Sequence, residues 1–307
     1  MKNLFVIVIL LFTTTIQCQK NEIILENIKH ATYYLASDEL EGRDTGSKGI
    51  ELAAKYLEKK LSEYGIKPYY NTYRDSLKVG QLDAYNLIGF IPGKQDSLKN
   101  YPLILSAHYD HVGFKKGVTE GDNIINGAND NAVSVATVLE IGRYFSQKQQ
   151  DRPIMLIFFT AEEIGLKGAS HLAKRFENEN LKPFALINFE MIGVPLKNFS
   201  HQLYITGFNK SNLAEEVNKS SKTNLIGLSD KAEKFNLFMA SDNYPMYQIL
   251  KFPSHSVSSF DFENYDYYHH VKDEAHLMDY GHLTKIAENF IPAVIHLCQI
   301  KTIVALK

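Results

Sequence analysis

The sequence predicts an α/β domain: a central, mostly parallel mixed sheet flanked by helices. Two observations carry this expectation. Short, unbroken apolar runs rich in Ile, Leu and Phe recur along the chain, at NLIGFI (86–91), PLILSAH (102–108), IMLIFFT (154–160), FALINFEMI (184–192) and QLYITGF (202–208). Strands buried on both faces read this way. Between them, residues 132–145, 166–176 and 213–221 place apolar side chains at helical spacing, and strand–helix alternation builds parallel sheets.

The first eighteen residues stand apart. Met1-Lys2-Asn3 is a short positive start, residues 4–12 (LFVIVILLF) are wholly apolar, and TTTIQC follows. The run is too short for a mature membrane span but suits a secretory signal. The expectation is an exported chain, periplasmic or secreted, with 1–18 removed, 19–307 as the catalytic domain and no transmembrane helix in the mature part. A buried N-terminal helix is the alternative, though the run has no amphipathic period. Cys18 is either the residue before cleavage or the lipid-bearing first residue of a lipoprotein. Gln17, where lipoproteins carry a small residue, favours cleavage. Only Cys298 then remains, so no intrachain disulfide forms, and its apolar helical surroundings make it a packing residue.

Downstream, 21–37 and 49–64 read as helices, separated by the polar loop DELEGRDTGSKG (38–49), and 283–298 reads as a closing helix. No internal repeat or linker of different composition interrupts the chain, so one domain is expected. Hydrophobic residues make up 45% and charged residues 22% of the 307, enough for a sizeable core. Lys and Arg number 33 against 35 Asp and Glu, for a net charge of −2, and no long basic run occurs. Nucleic-acid binding therefore has no electrostatic support.

Three expected strands end in groups that bind metals: PLILSA in His108-Tyr109-Asp110, IMLIFFTA in Glu162-Glu163, FALINF in Glu190. Carboxyl ends of parallel strands line one edge, where ligands are held. Carboxylates buried there would cost several kcal/mol each without a cation or a proton. His108 and Asp110 are two apart and share a face of an extended chain, so Asp110 can hold the imidazole's other N–H. Bland readings stay open for each piece: a hydrogen-bonded loop histidine, an N-cap at Asp130 in NGANDNA, a solvated helix start at Glu162-Glu163. YYHHVKDE offers His269 or His270, then Asp273, behind aromatic residues that suggest a pocket.

The succession SAHYDH, GANDNA, FFTAEEIGLKGA, INFEMIG, ASDNYP and YYHHVKDE, opened by LASDELEGRDTGSKGIELAAKYL, resembles the zinc aminopeptidase family M28 over nearly the whole mature chain. The resemblance implies a zinc-dependent exopeptidase fold with two Zn2+ per chain. It implies His108 and Glu190 on one ion, Glu163 and His269 on the other, and Asp130 bridging. His269 is chosen over His270 because an acid, Asp273, follows it by four. Glu162 is implied as the general base and Tyr268 as the donor that polarises the substrate carbonyl. Nitrogen and oxygen donors that leave room for water suit zinc, and such sites also accept other divalent ions.

This chain departs from the family pattern in three places. Glu190 stands where Asp is commoner, NAVS replaces NASG, and SDNYP replaces an SDH-type motif while keeping Asp242. The extra methylene of Glu190 bears on how a substrate's free amine would be held. The resemblance thus implies an exported metallopeptidase acting on peptides, an aminopeptidase releasing N-terminal residues. The alternatives on the same scaffold are a single-zinc glutaminyl cyclase and a catalytically silent extracytoplasmic binding protein. The five ligands argue against the first, and retention of all six groups against the second.

Overall fold

The structure is a computed structural model that describes residues 22–115, 121–221, 223–300 and 304–306. The expected signal segment, with Cys18, lies outside the described residues. The chain opens with helices α1 (Leu25–Leu35) and α2 (Lys48–Glu63), and the Ser47 hydroxyl caps α2 at the Ile50 N–H. Strands β1 (Lys67–Pro68), β2 (Arg74–Val79), β3 (Leu82–Ile91) and β4 (Leu103–His108) follow. Next come α3 (Val133–Ser146), β5 (Ile154–Phe159), α4 (Lys167–Asn178), β6 (Ala185–Glu190), β7 (Leu203–Ile205) and α5 (Leu213–Ser220). The chain closes with β8 (Ile226–Gly227), α6 (Asp230–Lys234), α7 (Asn243–Leu250), β9 (Ser254–Ser258) and α8 (Tyr280–Gln299).

The nine strands form one mixed sheet in the order β1-β3-β5-β4-β6-β9-β7-β8, with β2 paired to the outer part of β3. The central strands β5, β4, β6 and β9 are parallel, whereas β3 pairs with β5, and β7 with β9, antiparallel. The parallel character read from the sequence therefore belongs to the middle of the sheet, and its flanks run the other way. Every residue of β4 and β5 is buried. Alternate side chains divide between two cores, as a period of two requires. Leu103, Leu105, Leu156 and Phe158 join the larger core under α1, α2, α3 and α8; Ile104, Met155, Ile157 and Phe159 join the smaller one under α4.

Four strands escaped the apolar-run criterion, the two-residue β1 and β8 and the longer β2 and β9. β9 reads SHSVS yet is wholly buried, because its polar groups find partners. The Ser256 hydroxyl donates to Asn243 Oδ1, and His255 lies between Ser211 and the Thr206 carbonyl, with burial holding its pKa down at about 4. β2, RDSLKV, is an outer strand with its buried Asp75 bonded to Asn86 and Arg175. Cys298 is buried in α8 and burial pushes its thiol up to about 12, consistent with a packing role. Among the described residues, no helix is long and apolar enough to cross a membrane.

Candidate metal centre

The register of the parallel strands brings His108, the Glu162-Glu163 loop and Glu190 to the same edge: His108 pairs with Phe159, and Glu190 with Ser258. His108 ends β4 with its Nδ1 3.1 Å from the Asp110 backbone carbonyl. Its Nε2 lies 3.3 Å from Asp130 Oδ1 and 3.3 Å from Glu190 Oε1. The Asp110 carboxylate, expected to hold the imidazole, stands 3.7 Å from Nδ1. It instead accepts the backbone N–H groups of Glu162 (3.1 Å) and Glu163 (3.3 Å). The backbone carbonyl orients the ring and the carboxylate orients the neighbouring loop, a correction to the sequence reading.

Asp130 is not a helix cap. It sits in a single turn, Ala128–Ala132, with φ −113° and ψ 89°, and α3 begins only at Val133. Both flanking asparagines fasten this turn to the exit of β6. Asn131 donates to the Phe189 carbonyl and accepts from the Met191 N–H, and Asn129 accepts from the Gly193 N–H. Asp273 holds the other side, accepting the N–H groups of Asn129 (2.8 Å) and Asp130 (3.1 Å) and the Tyr265 hydroxyl. Glu162 and Glu163 do not start a helix either; they open a turn that precedes α4.

His269 faces this cluster, while His270 lies outside it and accepts the Lys272 N–H. His269 Nε2 is 3.2 Å from Asp130 Oδ2 and 3.1 Å from Glu163 Oε2. Tyr268 stacks on the His269 ring at 3.9 Å, with its pKa raised by burial and by the acids of the site. A further histidine, His111, entered the site without being singled out from the sequence. Fully buried, its Nδ1 donates to Glu163 Oε1 at 2.8 Å. The second histidine of HYDH, three residues after His108, was the available signal.

Among the described residues, two groups of donor atoms could hold metal ions: His111, Asp130, Glu163 and His269, and His108, Glu162 and Glu190. The separations test this. Ligands about 2.0 Å from one tetrahedral zinc lie about 3.3 Å apart. His108 Nε2 meets Asp130 and Glu190 at 3.3 Å, and His269 Nε2 meets Asp130 and Glu163 at 3.1–3.2 Å. His269 Nε2 is moreover buried without a hydrogen-bond partner despite that closeness. Donor atoms that converge on one ion have this arrangement. The His111–Glu163 contact is a hydrogen bond instead, made through the other carboxylate oxygen.

Electrostatics point the same way. Burial opposes charge on His269, yet the close approach of Asp130 and Glu163 raises its pKa to about 10. Burial likewise opposes charge on His108, and Glu190 and Glu162 lift it well above the imidazole range. The site favours positive charge, whether carried by protons or by metal. The adjacent acids are pushed in opposite directions. Burial, followed by Asp242, Glu190 and Glu163, raises Glu162 well above the carboxylate range even though His108 opposes this. Burial and Asp130 would also raise Glu163, but His111 and His269 bring it down.

Beside the cluster opens a cavity of about 120 Å³, walled by Tyr204, Thr206, Leu237, Phe260, Phe262 and Tyr268. The Ser241 hydroxyl donates to Glu190 Oε2 at 2.7 Å at its margin, leaving Oε1 toward His108.

A mixed sheet with a histidine–carboxylate cluster at the carboxyl ends of its parallel strands defines a metal-dependent class of α/β protein. Residues 86–294 match the model of peptidase family M28, and the chain belongs to that family. The aminopeptidase YwaD of Bacillus subtilis is 30% identical over 141 residues, covering 45% of this chain and 28% of that protein. The match thus spans about a quarter of the relative's length. Among solved structures, the LapA aminopeptidase of Legionella pneumophila has a TM-score of 0.71 at 20% identity, covering 91% of this chain and 73% of that one. Porphyromonas gingivalis glutaminyl cyclase has a TM-score of 0.70 at 17% identity, covering 89% and 98%. At these identities the structural likenesses establish the fold.

Asp273 offers a test of how the Asp130 turn is held. Asp273→Ala leaves the Asn129 and Asp130 N–H groups without their acceptor, and each orphaned donor costs about 1–3 kcal/mol. Urea unfolding should register that loss, whereas an unchanged midpoint would show that the turn does not depend on Asp273.

Proposed function

We propose that this chain is an exported, two-zinc peptidase that releases N-terminal residues from peptides. His108, Asp130 and Glu190 would hold one ion, and Asp130, Glu163 and His269 the other. The observation that carries the reading is the split of Asp130, whose Oδ1 faces His108 while Oδ2 faces His269. One carboxylate with a different histidine at each oxygen is what a bridge between two cations requires. The sheet is shared with glutaminyl cyclases, so the fold does not separate the two chemistries; the paired donor sets favour hydrolysis over a single-metal cyclisation.

Bound there, the two ions would supply Lewis acidity toward a peptide carbonyl and toward water. Glu162 takes the proton of the attacking water and passes it to the leaving amine. Adjacent acids pushed in opposite directions are a mark of divided roles. Tyr268 donates its O–H to the developing oxyanion. Glu163 is held from behind by His111, whose hydrogen bond to Oε1 leaves Oε2 for the metal. The apolar cavity takes the side chain of the residue to be released.

The division of labour within Glu162-Glu163 is directly testable. Glu162→Gln should lower turnover by roughly two to four orders of magnitude with both zincs retained. Glu163→Gln should lose zinc first, with activity returning in excess metal. Zinc content and turnover measured side by side decide it: a metal-depleted Glu162→Gln beside a metal-replete, inactive Glu163→Gln reverses the two roles.

Zinc binds unprotonated imidazole, and the metal-free chain keeps His269 protonated up to about pH 10. Zinc uptake at pH 7 should therefore release protons, and apparent affinity should climb with pH before levelling near that value. Titration of the metal-free protein in weak buffer measures this directly. Zinc binding with no proton release would remove the histidines from the ligand set.

Export rests on the apolar run at 4–12. The protein recovered from its native host should begin near Gln19 or at a lipid-modified Cys18, read by N-terminal sequencing and mass spectrometry. An intact Met1 would end that part of the proposal.

A further inference from the structure

The loop DELEGRDTGSKG has no part in the mechanism above, yet it reaches the candidate metal centre. Its Arg43 is completely buried, and its backbone is left-handed at φ 51°. Among the described residues, the guanidinium makes no ion pair or hydrogen bond with a carboxylate. It donates instead to four backbone carbonyls: Tyr109 (2.9 Å), Asn126 (2.7 Å), Gly127 (2.9 Å) and, by a short contact, Leu35. Tyr109 follows His108, and Asn126-Gly127 precede the turn that carries Asp130. One rigid fork therefore spans the two loops that bring His108 and Asp130 together, and ties both to the end of α1.

The backbone around Arg43 repeats the attachment. The His111 N–H donates to the Arg43 carbonyl at 3.2 Å and the Gly113 N–H to the Gly42 carbonyl at 3.1 Å. Gly42 has φ 64°, and a Cβ there would lie 2.5 Å from both the Gly113 and Ile125 carbonyl oxygens. Only glycine lets the turn come this close. A guanidinium so deep with no anion in contact is unusual. Burial lowers its pKa to about 10, and the charges of Asp130, Asp273, Asp110 and Glu163 work against that effect, so it is cationic at neutral pH.

We propose that Arg43 is a positioning residue for metal binding: by clamping the Tyr109 and Asn126–Gly127 carbonyls, it sets His108 and Asp130 at the spacing that one ion needs. The inference rests on the two-metal reading above. Lysine carries the same charge but lacks the planar fork that serves several carbonyls at once. Partners one step removed from a metal typically contribute 10–100-fold to its affinity.

The test uses the full chain stripped of metal and titrated with zinc against a competing chelator. Circular dichroism confirms folding of wild type, Arg43→Met, Arg43→Lys and Gly42→Ala. Arg43→Met should lose roughly 10–100-fold in zinc affinity, with turnover returning as zinc is raised. Arg43→Lys should fall between the two. Gly42→Ala, which keeps the cation but pushes the loops apart, should lose affinity as well. A purely structural role would lower the melting temperature and leave the zinc affinity of the folded protein unchanged; that result in Arg43→Met overturns the proposal. If Arg43→Met does not fold, wild-type affinity in both Arg43→Lys and Gly42→Ala overturns it. A wild type that binds no zinc refutes the two-metal reading instead.

Discussion

Negative charge gathered in a buried place is the constraint on which the rest of this molecule depends. Asp110, Asp130, Asp242 and Asp273 are all buried at one edge of the sheet, with Glu162, Glu163 and Glu190 beside them. Carboxylates in such surroundings persist only when paired, hydrogen-bonded or protonated. Each of these answers is used here. Asp110 and Asp273 each accept two backbone N–H groups. Asp242 finds no hydrogen-bond partner among the described residues, and burial raises its pKa well above the carboxylate range. Asp130 and Glu163 stay anionic against the histidines.

That arrangement accounts for the division between rigid and irregular parts. Parallel strands β5, β4 and β6 end at one level and supply fixed points for His108, the Glu162-Glu163 loop and Glu190. Asp130 comes from a turn with no regular geometry of its own, and its position is borrowed. Asn129 and Asn131 fasten it to β6, Asp273 to the loop before α8, and the Arg43 fork to the loop after β4. Several weak local choices thus become one defined geometry because each is tied to the sheet.

Much of this was legible in the residues. Continuous apolar runs marked the central strands because burial on both faces leaves no room for alternation, and an acid or histidine at the end of each marked the edge. The same criterion overlooked β9, whose serines and His255 are buried with their partners, since periodicity registers polarity and not satisfaction. It also gave QLYITGF seven residues of strand where three are paired. Asp110 was read as the orienter of His108 from their two-residue spacing. In the fold the chain has already turned after β4, and the carboxylate meets amides of a different loop.

By itself, the sequence determined which chemical groups are present, their order, and which strands deliver them, because apolar runs and strand ends are local properties of the chain. It also carried the family pattern, in which the acid four residues on points to His269, the histidine that faces Asp130 and Glu163 in the fold. Only the tertiary structure decided which oxygen of Asp130 faces which histidine and that His111 supports Glu163, 52 residues away. The same holds for Arg43, buried among backbone carbonyls 8 to 84 residues distant. The reason is physical: contacts of this kind depend on how a twisted sheet gathers separate loops, and backbone carbonyls, the partners Arg43 chose, are identical at every position in a sequence.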